Sequence, residues 1–354
     1  MKRIVHIITG LSANGAQNML YRVCRYSGDY EHEIISLSGE GDMGERFREL
    51  GIRVHALNLG QFNLVSCLGR AVKICRKADI VDSWLYHADL FAFITARVLL
   101  RRHLIWNIRH QNLDPLYNKK RTLRVVRINS FLSRFVDCIS YNSTQAIKNH
   151  KRYGYRGKKT RLVANGFEID VPEKDRGMIR KRLGIEGEHI IIVTAGRWNA
   201  LKGYSLLFEA LRGLEGDYRL IMAGKGLDKD NRELADMIGD LGERVMLLGE
   251  RDDIGDILSA GDIYVSSSTG ESFSNAVGEA MAQGLACVVT DTGESQNLVG
   301  DAGIAVRAGD AEALREGLRK MISSDYREYG KKAKLRIQQW DIRRVVTMYQ
   351  EMWG

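Results

Sequence analysis

The chain has 354 residues, 44% of them hydrophobic and 27% charged, with a formal net charge of +9. That length suits two domains, each able to bury its own core. No apolar run reaches the length of a membrane-spanning helix, and the five cysteines at 24, 67, 75, 138 and 287 show no paired spacing for zinc or redox chemistry, which fits reduced core residues.

The first predicted strand, KRIVHIITG, ends at Gly10 and runs into a polar loop without a small-residue cleavage pattern, so no secretory signal is expected. Further strands are predicted near 32–38, 53–58, 78–84, 103–109, 137–143 and 160–164, each a short β-branched or apolar run. The loop ITGLSANGAQNML places Gly15 just ahead of a helix, where a glycine permits a tight turn. IVDSWLYHADL (80–90) and LIWNIRHQNLD (104–114) end in polar tips, making His87, Arg109 and His110 candidates to line a ligand site. In KKRTLRVVRINSFLSRFV (119–136), Lys120, Arg124, Arg127 and Arg134 share one helical face. Val125, Ile128, Leu132 and Phe135 form an adjoining apolar face expected to pack inward, and Phe131 falls among the basic residues.

A domain boundary is expected in ANGFEIDVPEKD (164–175), dividing residues 1–165 from 166–339. Beyond it, strands are predicted near 189–196, 218–223, 245–248, 263–268, 287–290 and 303–306. Strands alternating with helical patterns mean a parallel sheet covered on both faces, here twice over, an α/β class. In TAGRWNALKGYSLLFEAL (194–211), Arg197 and Lys202 follow a strand's carboxyl end, which suits a diphosphate whose charge must be neutralised. Asp228, Asp230, Asp252 and Asp253 are expected to be solvated helix-start residues, and no metal ligands are assigned.

The densest stretch is SSSTGESFSNAVGEAMAQGLACVVTD, in which seven residues separate Glu271 from Glu279. IYVSSS reads as a buried strand, TGESFSN as a turn and AVGEAMAQ as a helix closed by Gly284. The amides of Phe273, Ser274, Asn275 and Ala276 then fall at the helix start, an anion site flanked by two carboxylates. Such an arrangement suits a ligand with hydroxyls at both ends of a diphosphate, as in a nucleotide sugar. The tail 340–354 carries a helical stripe of Ile342, Val345, Val346, Tyr349 and Trp353.

Charge divides the chain. Residues 1–165 hold 28 Lys and Arg against 12 Asp and Glu, and residues 166–354 hold 25 against 32. An anionic partner is therefore expected for the first half: a membrane, a phosphorylated acceptor or nucleic acid.

These motifs resemble glycosyltransferase family 4, retaining enzymes of GT-B fold with a Glu, seven residues, Glu signature. The resemblance covers nearly the whole chain and implies two Rossmann-like parallel-sheet domains facing across a cleft, with the last helix (340–354) crossing back to the first. It implies that Glu271 contacts the donor sugar, Glu279 the ribose, and Arg197 with Lys202 the diphosphate. Glu250 and Arg251 would neighbour the base, Gly15 and its loop would meet donor phosphate or sugar, and His110 the transferred sugar. Gly15-Ala16-Gln17 stands where the family has Gly-Ala-Glu, with Asn14 in place of the preceding Gly. Ser274 and Ala286 stand at usual proline positions, and unlike a proline Ser274 keeps its N–H.

The implied function is metal-independent, retaining transfer of a hexosyl or N-acetylhexosaminyl group from a UDP- or GDP-sugar to a lipid-linked or polysaccharide acceptor. Stretches like WLYHADL and IRHQNLD also occur in family members that build bacterial surface polysaccharides, such as lipopolysaccharide or capsule. The expected location is cytoplasmic, peripheral on the anionic inner-membrane surface. No separate cofactor is expected. The alternatives are a sugar-nucleotide epimerase of the same fold, for which no acid/base cluster is visible, and a basic nucleic-acid-binding protein, for which stacking aromatics are sparse.

Overall fold

Short runs of Ile, Val and Leu bracketed by glycine turns fold into thirteen strands, seen here in a computed structural model that describes residues 1–172 and 174–354. Glu173, inside the predicted linker 164–175, lies outside the described residues. The chain forms two compact units, one of residues 1–166 with 342–354, the other of residues 167–341.

In the first unit the strands are β1 (Lys2–Ile8), β2 (Tyr30–Ser36), β3 (Arg53–Ala56), β4 (Ile80–Trp84), β5 (His103–Ile108), β6 (Cys138–Tyr141) and β7 (Lys159–Leu162). All pair in parallel, in the order β3-β2-β1-β4-β5-β6-β7. Alternation along β1 sends Val5 and Ile7 to one core, with Trp106 and Tyr141, and Ile4 and Ile8 to the other, with Trp84. The helix Ile342–Trp353 completes that second core, burying Ile342, Val345, Val346, Tyr349 and Trp353.

The second unit contains β8 (Ile190–Ala195), β9 (Tyr218–Ala223), β10 (Val245–Leu247), β11 (Ile263–Ser266), β12 (Ala286–Thr290) and β13 (Gly303–Val306). They too are parallel, in the order β10-β9-β8-β11-β12-β13. The helices Tyr204–Arg212 and Ala311–Ser323 bury Leu207, Leu211, Leu314 and Leu318 against β8, β11 and β12. Both sheets are thus Rossmann-like and helix-covered.

The basic helix of the first unit runs from Lys120 to Leu132 and corrects one expectation. Its inward face is Val126 and Asn129, and Asn129 Nδ2 donates to the Tyr86 carbonyl at 2.8 Å. That phase leaves Ile128 and Phe135 48% and 45% exposed, while Val125 and Leu132 pack against the core as expected. Lys120, Arg124, Arg127 and Arg134 are exposed beside them, and the Arg134 guanidinium lies 4.2 Å from the Phe131 ring centroid. All five cysteines are buried and unpaired, and among the described residues no helix is long and apolar enough to cross a membrane.

Candidate functional site

Strand order in the second sheet turns outward in both directions from the β8–β11 pair. Loops leaving the carboxyl ends of those two strands open side by side, the switch point at which α/β sheets hold ligands. Both densest sequence motifs fall there.

After β8, Gly196 and Arg197 lead into a turn in which Asn199 Oδ1 accepts the Leu201 N–H at 2.9 Å. Lys202 closes the turn and Gly203 follows with φ +62, a left-handed conformation. A Cβ on Gly203 would sit 2.3 Å from the Ser267 carbonyl oxygen, so only glycine lets these two loops meet. Ser267 Oγ donates to the Lys202 carbonyl at 2.9 Å, and the Thr269 N–H donates to the Leu201 carbonyl at 2.8 Å. Clamped in this way, Lys202 Nζ reaches Glu271 Oε1 at 2.5 Å. Ser268 Oγ donates to the same carboxylate oxygen at 3.3 Å. Thr290, at the end of β12, fixes Ser268 by donating to its carbonyl at 2.6 Å. The Tyr204 hydroxyl donates to the Gly196 carbonyl at 3.2 Å, and its ring stacks on Trp198 with centroids 5.7 Å apart. Arg197 is exposed at the same strand end.

The loop after β11 continues through Phe273 to the helix Asn275–Ala282. Phe273 buries its ring, stacked on Phe167 at 6.1 Å and edge-on to Trp340 at 6.4 Å, so only its backbone faces the loop. Ser274 holds the N-cap position in extended conformation, and its side chain makes no capping bond. The first intrahelical bond runs from the Gly278 N–H to the Ser274 carbonyl at 3.3 Å. The Asn275 and Ala276 amides lie ahead of it, at the positive end of the helix dipole. Glu279 stands one turn further on, half-buried.

Glu250 and Arg251 follow β10, in a loop joined to the Gly224 turn through Gly224 N–H to Gly249 carbonyl at 2.7 Å. Glu250 is exposed. The Arg251 guanidinium grips Asp253 through two bonds of 2.8 Å, which holds that carboxyl below its usual range. Arg182 also pairs with Asp253 and with Asp256. Asp228 Oδ1 accepts the Asp230 N–H at 3.2 Å in a local turn.

In the first unit the order turns between β1 and β4. Gly15 opens the helix Gly15–Tyr26, and Gln17 braces the loop before it by donating from Nε2 to the Gly10 carbonyl at 2.8 Å. His110 lies just past β5 with its ring edge-on to Tyr86 at 6.5 Å. The Tyr86 hydroxyl bonds His150 Nε2 at 2.8 Å, and burial lowers the His150 pKa to about 4, keeping that ring neutral. His87 is exposed at the start of the helix Tyr86–Ala92. Arg109 is a correction. Its guanidinium lies 5.1 Å from the Trp84 ring centroid and donates to the Val163 carbonyl at 2.7 Å and to the Tyr349 hydroxyl, so it braces the last helix against the sheet. A strand-end arginine surrounded by indole and phenol rings is a packing residue.

Ser267, Ser268, Gly203, Tyr204 and Thr290 support Lys202 and Glu271 without having been singled out in the sequence. The available signal was the Ser266-Ser267-Ser268 run ending a buried strand, since a hydroxyl there needs a partner.

Residues 13–171 match the family described as Glycosyltransferase Family 4, and residues 189–324 match Glycosyl transferases group 1. The lipopolysaccharide core biosynthesis glycosyltransferase LpsE of Rhizobium meliloti is 28% identical over 63% of this chain and 65% of its own length. Mannosylfructose-phosphate synthase of Agrobacterium fabrum is 35% identical over 39% of this chain and 34% of that protein. The match thus spans less than two thirds of either relative. The lipopolysaccharide core biosynthesis mannosyltransferase LpsB of Rhizobium meliloti is 23% identical over 75% of this chain and 78% of that one. Among solved structures, Anabaena Alr3699/HepE in complex with UDP and glucose superposes with a TM-score of 0.88 at 22% identity, covering 99% of both chains.

Proposed function

From a chain that belongs to glycosyltransferase family 4 and carries its GT-B fold, we propose a protein that transfers a sugar, with retention, from a nucleoside-diphosphate donor to a lipid-linked or polysaccharide acceptor of the bacterial surface. One observation carries this reading: Lys202 and Glu271 meet at 2.5 Å at the switch point of the second sheet, beside a helix start with Glu279 one turn beyond it. A cation, an amide cluster and two carboxylates are the groups a sugar diphosphate needs. Arg197, Lys202 and the amides near Ser274 neutralise the departing diphosphate. Glu279 accepts ribose hydroxyls and Glu271 the hydroxyls of the sugar. Glu250 and Arg251 border the base through their backbone. His110 and the Gly15 loop are the first unit's candidates for substrate contact.

The lipopolysaccharide enzymes among the relatives and the excess of cations in residues 1–165 both support an anionic glycan or lipid acceptor. Thermal unfolding against a panel of UDP, GDP, ADP and their sugar conjugates tests the donor, with UDP first because HepE was crystallised with it. One nucleotide should stabilise the protein by about 2.7 kcal/mol when present at a hundredfold excess over its Kd. The shift should persist in excess EDTA, because protein cations serve the phosphates here. No shift with any member, or a shift abolished by EDTA, overturns the reading.

The proposed location is the cytoplasmic face of the membrane, held through the helix Lys120–Leu132. Lys120, Arg124, Arg127 and Arg134 face solvent with Ile128, Phe131 and Phe135 among them, a basic surface with apolar side chains for the lipid interface. Each cation near an anionic bilayer contributes about 1 kcal/mol. Flotation with phosphatidylglycerol vesicles should show salt-sensitive binding, lost when these four residues become Gln while nucleotide binding persists. Equal flotation of both proteins excludes this surface.

A further inference from the structure

The first unit contains a second cluster of reactive side chains that transfer chemistry does not use. His6 on β1, Cys24 on the helix Gly15–Tyr26 and His32 on β2 are buried, and each turns one ligand atom inward so that all three atoms lie within 4.8 Å of one another. His6 Nε2 and His32 Nδ1 approach to 3.0 Å. The outward nitrogens are also engaged. His6 Nδ1 lies 3.4 Å from Asp82 Oδ2, and His32 Nε2 lies 3.2 Å from the Ser27 carbonyl oxygen and 2.9 Å from its hydroxyl. A metal-bound imidazole typically keeps its second N–H on a carboxylate or a carbonyl, which orients the ring and fixes its tautomer. Both rings have that second partner in place.

We propose that His6, Cys24 and His32 bind a zinc ion that staples β1, β2 and the first helix together. The charges balance: a divalent ion with the Cys24 thiolate leaves one positive charge, and the Asp82 carboxylate behind His6 cancels it. A buried group of no net charge is what a desolvated core tolerates. Without metal, Trp84 Nε1 donates to His6 Nδ1 at 3.4 Å, and the His6 proton sits on Nε2, donated to His32. On binding, the Cys24 S–H bond breaks, its proton leaves to solvent and the sulfur–zinc bond forms. The His6 proton moves from Nε2 to Nδ1, where Asp82 accepts it, and the long indole contact is given up. Zinc–nitrogen bonds in tetrahedral geometry set the two nitrogens roughly 3.3 Å apart, so the rings need part by only a few tenths of an ångström. Three protein ligands leave the fourth position to a water. Trp353 covers the cluster, edge-on to His6 at 5.9 Å and to His32 at 5.8 Å, with its Nε1 donating to Asp82 Oδ2 at 3.3 Å.

The proposal does not depend on the transferase reading. The full chain, stripped with a strong chelator, is titrated with Zn²⁺ and separately with Co²⁺, then passed through a desalting column. One equivalent of zinc should remain, and cobalt should give a near-ultraviolet thiolate-to-metal band together with the visible absorption of a tetrahedral ion. Cys24→Ser should lose the near-ultraviolet band, and Asp82→Asn should weaken zinc affinity by roughly 10–100-fold. Circular dichroism and a cooperative thermal unfolding transition check that each variant is folded. The wild type decides even if a variant does not fold. No retained zinc, or cobalt without a thiolate band, overturns the site. A cobalt spectrum unchanged in folded Cys24→Ser moves the metal elsewhere and overturns it equally.

Discussion

Lys202→Ala should lower turnover at saturating donor by a factor on the order of 10²–10³, the loss typical of removing one donor to transition-state charge. Donor affinity should change much less. In the resting protein the ammonium is held by Glu271 at 2.5 Å, so its charge is already partnered and little net gain is available when the donor binds. A further negative charge develops on the β-phosphate only as the glycosidic bond breaks, and then the cation counts in full. The clamp from Ser267 and Gly203 means that the loop backbone does not depend on the lysine side chain, so the variant should fold normally. Single-turnover rates measured with the donor found by thermal shift check this. A rate near wild type would remove Lys202 from the leaving-group partners.

Glu279→Ala should instead weaken nucleotide binding by roughly 1.5–3 kcal/mol, the range for lost charged hydrogen bonds. A carboxylate accepting two ribose hydroxyls acts on ground and transition states alike, so the loss appears in affinity and not in turnover at saturation. Glu279 is half-buried on a helix whose inward face is Val277, Gly278, Ala280 and Met281, so its removal leaves that packing intact. Calorimetry with the nucleoside diphosphate should show the drop; unchanged affinity in a folded variant assigns the ribose to another residue.

The positions of Arg197, Lys202 and Glu271 in strand-end loops and of Glu279 on the following helix were legible in the sequence, because strand, glycine turn and helix start are local patterns. The same holds for the strands: IIIVTA, buried from Ile191 onward, and ACVVT, buried throughout, read as continuous apolar runs. What was not legible depended on contacts distant in sequence. Ser267 acts on Lys202 across 65 residues. Arg109 shares a strand tip with His110, and only its packing on Trp84 and Tyr349 separates brace from candidate. The phase of the helix Lys120–Leu132 was displaced by about one position, because Asn129 buries itself to bond the Tyr86 carbonyl and a polar residue gives no inward signal. His6, Cys24 and His32 have no motif spacing at all. Their proximity comes from the pairing of β1 with β2 and from the helix between them.

The last helix has a consequence for how the chain acquires its structure. Residues 342–353 belong to the core of the unit built from residues 1–166, and Lys2 Nζ donates to the Trp353 carbonyl across 351 positions. During synthesis the first sheet emerges early but lacks the side chains that cover Trp84 and His6. The unit of residues 167–341 has no such debt and can finish while its predecessor waits. Order of completion therefore runs opposite to order of synthesis, and the earliest segment keeps apolar surface open longest. Closing a loop of that span costs an entropy that grows only slowly with its length. Deleting the last helix would leave a second unit able to fold and a first unit arrested with one face of its sheet bare.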